Sequence, residues 1–365
     1  MSKKNSLYTI FSLISLSSTF IVILVGFEHV ALEIYSVHLQ SLAIISAAGI
    51  LDYLFLNRLE LAAVKKYNLL SGILSSNNLL ILVFLFSGFL SLFSNIFFYW
   101  FSIFIIRHYL NIRRSVMIIS GRLGLSYITY FMQVFRNFVL FLPNLSLDLY
   151  KGIYLALFIP EVVFSLIILK PKSLYSFGFK RVKFRLLSNE FLYRVFYVLM
   201  DLTCRVLVPL LLTKQQSAGY LYLVNLMSFP IAGYSLCGAL IHSHILKNKK
   251  LPNLMVLGCI TLFLSFVCLL FFTVINSSHY GGLLLLLLSI AAALKTQDQL
   301  LISFYVSQKK FSTLKNIFLF GLSMMFFGLS LVYLNTNVAA EVILSIMILS
   351  SSILYVSVVR YEYYG

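Results

Sequence analysis

Apolar residues run without interruption over stretches of about 20 positions along most of this chain, the length of one membrane-spanning helix. Short polar breaks separate the runs. Reading run by run predicts twelve helices, over residues 7–27, 34–56, 69–91, 93–106, 115–142, 151–169, 189–212, 217–245, 253–275, 280–306, 312–334 and 337–359. The fourth boundary rests on Ser94 and Asn95 alone. Because the runs are continuous and do not alternate, they argue against a membrane β-barrel. The predicted fold class is all-α and polytopic.

Composition supports the same reading. Of 365 residues, 61% are hydrophobic and 11% charged, against roughly 45–50% and about 25% in soluble domains. Twelve spans of about 20 residues leave only short loops, which excludes an enzyme built on a soluble module. A net charge of +17 would point to nucleic acid in a soluble protein. Here the basic residues cluster between apolar runs, so topology explains them and no nucleic-acid partner is expected. Cys204, Cys237, Cys259 and Cys268 all lie in apolar segments without metal-ligand spacing. They read as buried hydrophobes, and no cofactor, metal or disulfide is expected. Lys3 and Lys4 precede an uncharged run from Leu7 to Phe27. That run is longer than a signal-peptide core of about 7–15 residues, so it reads as a retained first span.

The basic clusters also set orientation. With a cytoplasmic N-terminus, the inner segments hold Lys3 and Lys4, then Arg58, Lys65 and Lys66, then Arg107, Arg113 and Arg114. Lys170, Lys172, Lys180, Arg181, Lys183 and Arg185 follow, then Lys247, Lys249 and Lys250, then Lys309, Lys310 and Lys315, and finally Arg360. Outer loops hold Lys151 and Lys214 alone. This asymmetry places both termini in the cytoplasm. The basic loop 170–188 divides the chain into an N-terminal lobe (1–169) and a C-terminal lobe (189–365). Two six-helix lobes around a central cavity are expected, related by an axis along the membrane normal.

Ionisable groups within the spans carry the functional signal, because in hydrocarbon they usually face a bundle interior or a wet cavity. In the fifth span Arg122, Ser126, Thr129, Gln133 and Arg136 form one narrow helical stripe. Snorkelling to the headgroups accounts for the two arginines but not for the polar residues between them. In the seventh span Glu190, Arg194, Tyr197, Asp201 and Arg205 share a face, with Asp201 and Arg205 spaced to neutralise each other. Pro209 then removes a backbone hydrogen bond. In the tenth, Lys295 and Asp298 stand three apart beside Gln297 and Gln299. They read either as a structural pair or as a substrate or proton site.

Small and polar residues in the second span (His38, Ser41, Gly49, Asp52) and in the eighth (Asn225, Ser228, Ser235, His242) read as close helix packing. Glu161 follows Pro160 at a helix break. Tyr150, Tyr154, Tyr361, Tyr363 and Tyr364 read as interfacial anchors. If the two local pairs cancel, Arg122, Arg136 and Arg194 remain uncompensated. Such cations, with Gln133, Tyr197, Arg205 and Lys295, suit an anionic, hydroxylated ligand such as a phosphorylated glycan.

The run SAGYLYLVNLMSFPIAGYSLCGALIHSHI, with Ala218-Gly219-Tyr220 ahead of Phe229-Pro230, resembles the seventh-to-eighth span region of polysaccharide flippases. These belong to the multidrug, oligosaccharidyl-lipid and polysaccharide exporter superfamily. LEIYSVHLQSLAIISAAGILDYLFLNR is similar to that family's opening spans. The resemblance covers about a fifth of the chain. It implies two six-helix bundles around a cavity, alternating access, and export of an undecaprenyl-diphosphate-linked oligosaccharide, such as an O-antigen or capsule unit, across a bacterial inner membrane. It also implies membrane lipid, a polysaccharide polymerase and glycosyltransferases as partners.

Two alternatives stand beside it. A small-solute carrier of the major facilitator type shares the six-plus-six layout, but Gly49, Asp52 and Arg58 are spaced wrongly for that family's loop motif. A membrane glycan polymerase or ligase needs positioned carboxylates for acid–base work, and the outer loops offer only Glu28, Glu33, Asp148 and Glu341. The expectation is a transporter, not an enzyme. Asp52, Glu161, Asp201 and Asp298 are the candidate ion-coupling groups, since burial favours a protonated carboxyl.

Overall fold

The computed structural model describes residues 3–63, 84–89, 96–119, 124–168, 189–227, 254–275 and 282–364. Every regular element among them is helical. The chain forms two compact units, Met1–Arg185 and Leu186–Gly365.

In the first unit α1 (Lys3–His29) and α2 (Leu32–Ala63) are joined by a two-residue turn. α3 (Ile96–Ile119) is followed by α4 (Gly124–Phe138), which tightens into a 3-10 turn at Val139–Phe141. A turn with Asn144 in the left-handed region (φ 54°) leads to α5 (Leu147–Ala156), started by the Ser146 hydroxyl, which accepts from the Leu149 N–H. α6 (Ile159–Ile168) continues it after a break at Leu157 and Phe158. Pro160 causes that break, since it has no N–H and its ring crowds the carbonyl four residues back. α1 packs on α4, α2 on α3, and α6 lies against both α3 and α4.

In the second unit α7 (Asn189–Leu202) passes into a π-helical turn at Thr203–Leu207 and a short helical segment, Val208–Leu210. Pro209 explains the irregularity: an α-helical ring there would clash with the Arg205 carbonyl, and the wider turn avoids it. α8 (Lys214–Leu226) opens with a capping box between Thr213 and Gln216. α9 (Leu254–Ile275), α10 (Gly282–Ser307), α11 (Phe311–Leu334) and α12 (Ala339–Tyr364) complete the unit. α7 packs along α11, α10 lies between α9 and α12, and α8 meets α12. From Ser217 to Met227 every residue except Gly219 is buried, so this helix is covered on nearly every side.

Four stretches of the described residues are long and apolar enough to cross a membrane: Leu147–Ile168, Leu283–Ser307, Phe311–Leu334 and Thr336–Arg360. Their outward faces carry large exposed apolar side chains, among them Ile167, Leu283, Phe327 and Val356. Such bands suit lipid and not water.

The structure corrects the sequence reading at the fourth and fifth segments. Expected as 93–106 and 115–142, they are α3 at 96–119 and α4 from 124. Arg107, Arg113 and Arg114 therefore lie on a helix and not in a loop. Arg113 is buried, donates to the Ser165 carbonyl at 3.0 Å and lies over the Tyr109 ring. Arg114 donates to the Ser126 hydroxyl at 3.1 Å and to Tyr130 at 2.9 Å. The sixth segment starts earlier than expected, at Leu147, and is interrupted at 157–158. Most of the predicted 69–91 helix and the 228–245 part of the eighth lie outside the described residues.

Candidate functional site

Each unit encloses a polar cluster, and Arg136, Glu161, Arg194, Asp201, Arg205, Lys295 and Asp298 fall into these two clusters.

In the first unit the stripe on α4 faces inward. Ser126, Thr129 and Arg136 are buried, whereas Phe131, Phe135 and Phe138 on the other faces are exposed. Arg136 and Glu161 are wholly buried and form a salt bridge between α4 and α6. Arg136 also donates to the Leu157 carbonyl and to the Gln133 side-chain oxygen, both at 3.3 Å, and its guanidinium lies 4.1 Å from the Phe158 ring centroid. The helix break matters here because it brings the Leu157 carbonyl within the reach of Arg136. Gln133 passes the chain to Asn137 at 3.0 Å, and Asn137 donates to Ser18 and Thr19 on α1 at 2.7 and 3.0 Å.

A second set of polar groups adjoins it. His38 on α2 hydrogen-bonds the Tyr150 hydroxyl at 2.9 Å, and Ser41 donates to Tyr99 at 3.2 Å. Tyr150 and Tyr154 pack edge to face against His38, and Tyr154 also meets the Tyr99 and Tyr150 rings. Tyr150 and Tyr154, expected at the membrane interface, are 0% exposed. They are core residues: the Tyr150 hydroxyl bonds His38 and the Tyr154 ring packs against it, and their spacing of four on α5 was the available signal. His38, expected to serve helix packing, is one hub of this network.

Arg136 was expected as an uncompensated cation. It is not one, because Glu161 meets its charge. Arg122 and the side chain of Asp52 lie outside the described residues, as does the side chain of Glu190.

In the second unit Asp201 and Arg205 stand one turn apart, Oδ1 to Nε 3.2 Å, and Arg205 reaches across to the Asn225 side-chain oxygen on α8 at 3.2 Å. Lys295 lies 3.7 Å from Asp298 Oδ2 and 4.5 Å from the centroid of the Tyr197 ring. The Ser351 hydroxyl on α12 donates to Asp298 Oδ2 at 2.8 Å. Gln297 ties α10 to Thr261 on α9 at 2.9 Å. Arg194 is buried and donates to the Tyr193 hydroxyl at 2.8 Å. Asp201, Lys295 and Asp298 line a cavity of about 10 Å³, the room of one water. Sequence spacing found both pairs within single helices. It missed Ser351, whose role depends on α10 and α12 being neighbours.

Among the described residues no group of three or more His, Cys, Asp or Glu side chains is placed to hold a metal ion. No known protein family, curated protein or solved structure matches this chain. The fold and the two clusters define a helical membrane protein with ion pairs inside its helix bundles.

Proposed function

We propose that this protein is a transporter that moves a lipid-linked anionic oligosaccharide from the cytoplasmic to the outer leaflet of a bacterial inner membrane. In this reading about twelve spans form two six-helix lobes with both termini cytoplasmic, and transport proceeds by alternating access around a central cavity. The observation that carries it is the inward turn of charged and hydroxyl-bearing side chains on apolar helices in both units. A lipid-facing anchor or scaffold gains nothing from polar groups that are expensive to hold within a membrane.

Three of the candidate cations have carboxylate partners. The charges of Arg136, Arg205 and Lys295 are met by Glu161, Asp201 and Asp298. Arg122, on the polar stripe read from the sequence, and Arg194, buried on α7, are the proposed contacts for a diphosphate, a group suited to guanidinium recognition. Gln133 and Tyr197 belong to internal networks and orient the paired charges. Glu161, Asp201, Asp298 and Asp52 remain the proposed coupling groups.

The test is reconstitution of the full chain into vesicles bearing a fluorescent undecaprenyl-diphosphate oligosaccharide, with leaflet accessibility followed by quenching. Movement at least tenfold above protein-free vesicles, and its loss in Arg194→Ala and Arg122→Ala at equal protein incorporation, is expected. Rates equal to the protein-free control refute the function. Undiminished rates in both variants refute the assignment of the contacts.

A further inference from the structure

The cavity of the second unit is bounded by α7, α10, α11 and α12. Its polar contents form an incomplete set. Asp298 is 3% exposed, and its Oδ2 receives the Ser351 hydroxyl and faces Lys295. Its Oδ1 is buried with no hydrogen-bond partner. Asp201 brings a second carboxylate to the same cavity from α7. The Lys295 ammonium also lies over the face of the Tyr197 ring on α7.

An aromatic face, carboxylates from two helices and a hydroxyl are the surroundings that attract a small monovalent cation. In this protein an ammonium already stands there, tethered to α10. We infer that the cavity is a cation cage filled from within, in which the Lys295 ammonium replaces a mobile monovalent cation and leaves space for one water on Asp298 Oδ1. Two further properties fit. A mobile cation would share the cage with the ammonium at close range and be repelled. An anion would meet two carboxylates. A neutral molecule that donates to Asp298 Oδ1 and accepts from Lys295 suits both neighbours, and the volume admits only one the size of water.

The inference concerns the interior of one unit and holds whatever cargo the protein carries. It takes a metal cation away from Asp201 and Asp298, so a coupling role for either runs through a proton.

The experiment uses the purified full chain in detergent, with radioactive sodium binding read by scintillation proximity and thermal stability compared in sodium, methylammonium and choline chloride. Sodium binding by the parent chain, whatever its level, is expected to be unchanged by Asp298→Asn. Lys295→Ala is expected to gain a saturable sodium or methylammonium site and a midpoint several degrees higher in either salt than in choline. The double variant Lys295→Ala/Asp298→Asn is expected to lose that gain. Saturable sodium binding in the parent that Asp298→Asn abolishes would overturn the inference. So would a folded Lys295→Ala that gains no cation response. If Lys295→Ala is recovered only when methylammonium is present throughout purification, the cage is confirmed by that rescue.

Discussion

Removing one member of the Arg136–Glu161 pair leaves the other charge stranded. Both side chains are 0% exposed, so neither is hydrated when its partner is gone. Two unit charges about 3 Å apart attract by ~5 kcal/mol at an effective dielectric of about 20. Desolvation costs several kcal/mol per ion and offsets most of that attraction. The net contribution of the intact pair is therefore small, while the cost of breaking it is roughly 3–5 kcal/mol. Glu161→Leu should fall toward the lower end, about 3 kcal/mol, because the Leu157 carbonyl and Gln133 still accept from Arg136. Arg136→Met strands a carboxylate with no second partner for Oε2 and should cost about 4 kcal/mol. The double variant Arg136→Met/Glu161→Leu buries no charge and should lie within about 1 kcal/mol of the parent. The assay is reversible unfolding in mixed micelles followed by the fluorescence of Trp100, the one tryptophan in the chain, which lies buried on α3 in the same unit. Single variants that each cost under about 1 kcal/mol, or a double variant whose loss is the sum of the two, would refute the argument.

Two glycines give opposite expectations. A Cβ on Gly328 would clash with Ile346 Cδ1, so Gly328→Leu should pry α11 from α12 and cost about 1–3 kcal/mol in the same unfolding assay. A Cβ on Gly219 would meet nothing within 4 Å, so Gly219→Ala should stabilise α8 by about 0.5–1 kcal/mol. At the turn from α10 to α11 Lys309 holds φ 57° while the Lys310 N–H bonds the Tyr305 carbonyl at 2.9 Å. This is a helix C-terminus of the kind glycine favours, and Lys309→Gly should raise the thermal midpoint by a degree or more. A lower midpoint would show that the lysine side chain stabilises the turn by more than its backbone costs.

Helical periodicity made part of this molecule legible. It gave the inward face of α4, with Ser126, Thr129 and Arg136 on one side, because a period of 3.6 residues is a property of the helix itself. It gave Asp201 with Arg205 and Lys295 with Asp298 for the same reason, since partners three or four apart share a face. It did not give Glu161 as the partner of Arg136, nor Ser351 as a ligand of Asp298. Those contacts depend on which helices abut, and spacing along one helix carries no such information. Misplacing the start of α4 had a different cause. By sequence Arg113 and Arg114 resemble solvated loop charges, whereas a guanidinium with a carbonyl, a hydroxyl or a ring face to meet remains within a helix bundle. Tyr150 and Tyr154 misled in the same way, because an amphipathic ring suits a membrane surface and a polar core equally well.

The envelopment of α8 bears on how the protein is made. Its sheath includes α12, which leaves the ribosome long after α8 has been synthesised. In the interval the part of α8 that packs on α12 lacks its final neighbour. Chains halted before Ala339 should therefore present a half-clad, sticky helix to membrane quality control. Degradation during synthesis is the fate expected for truncations in the second unit.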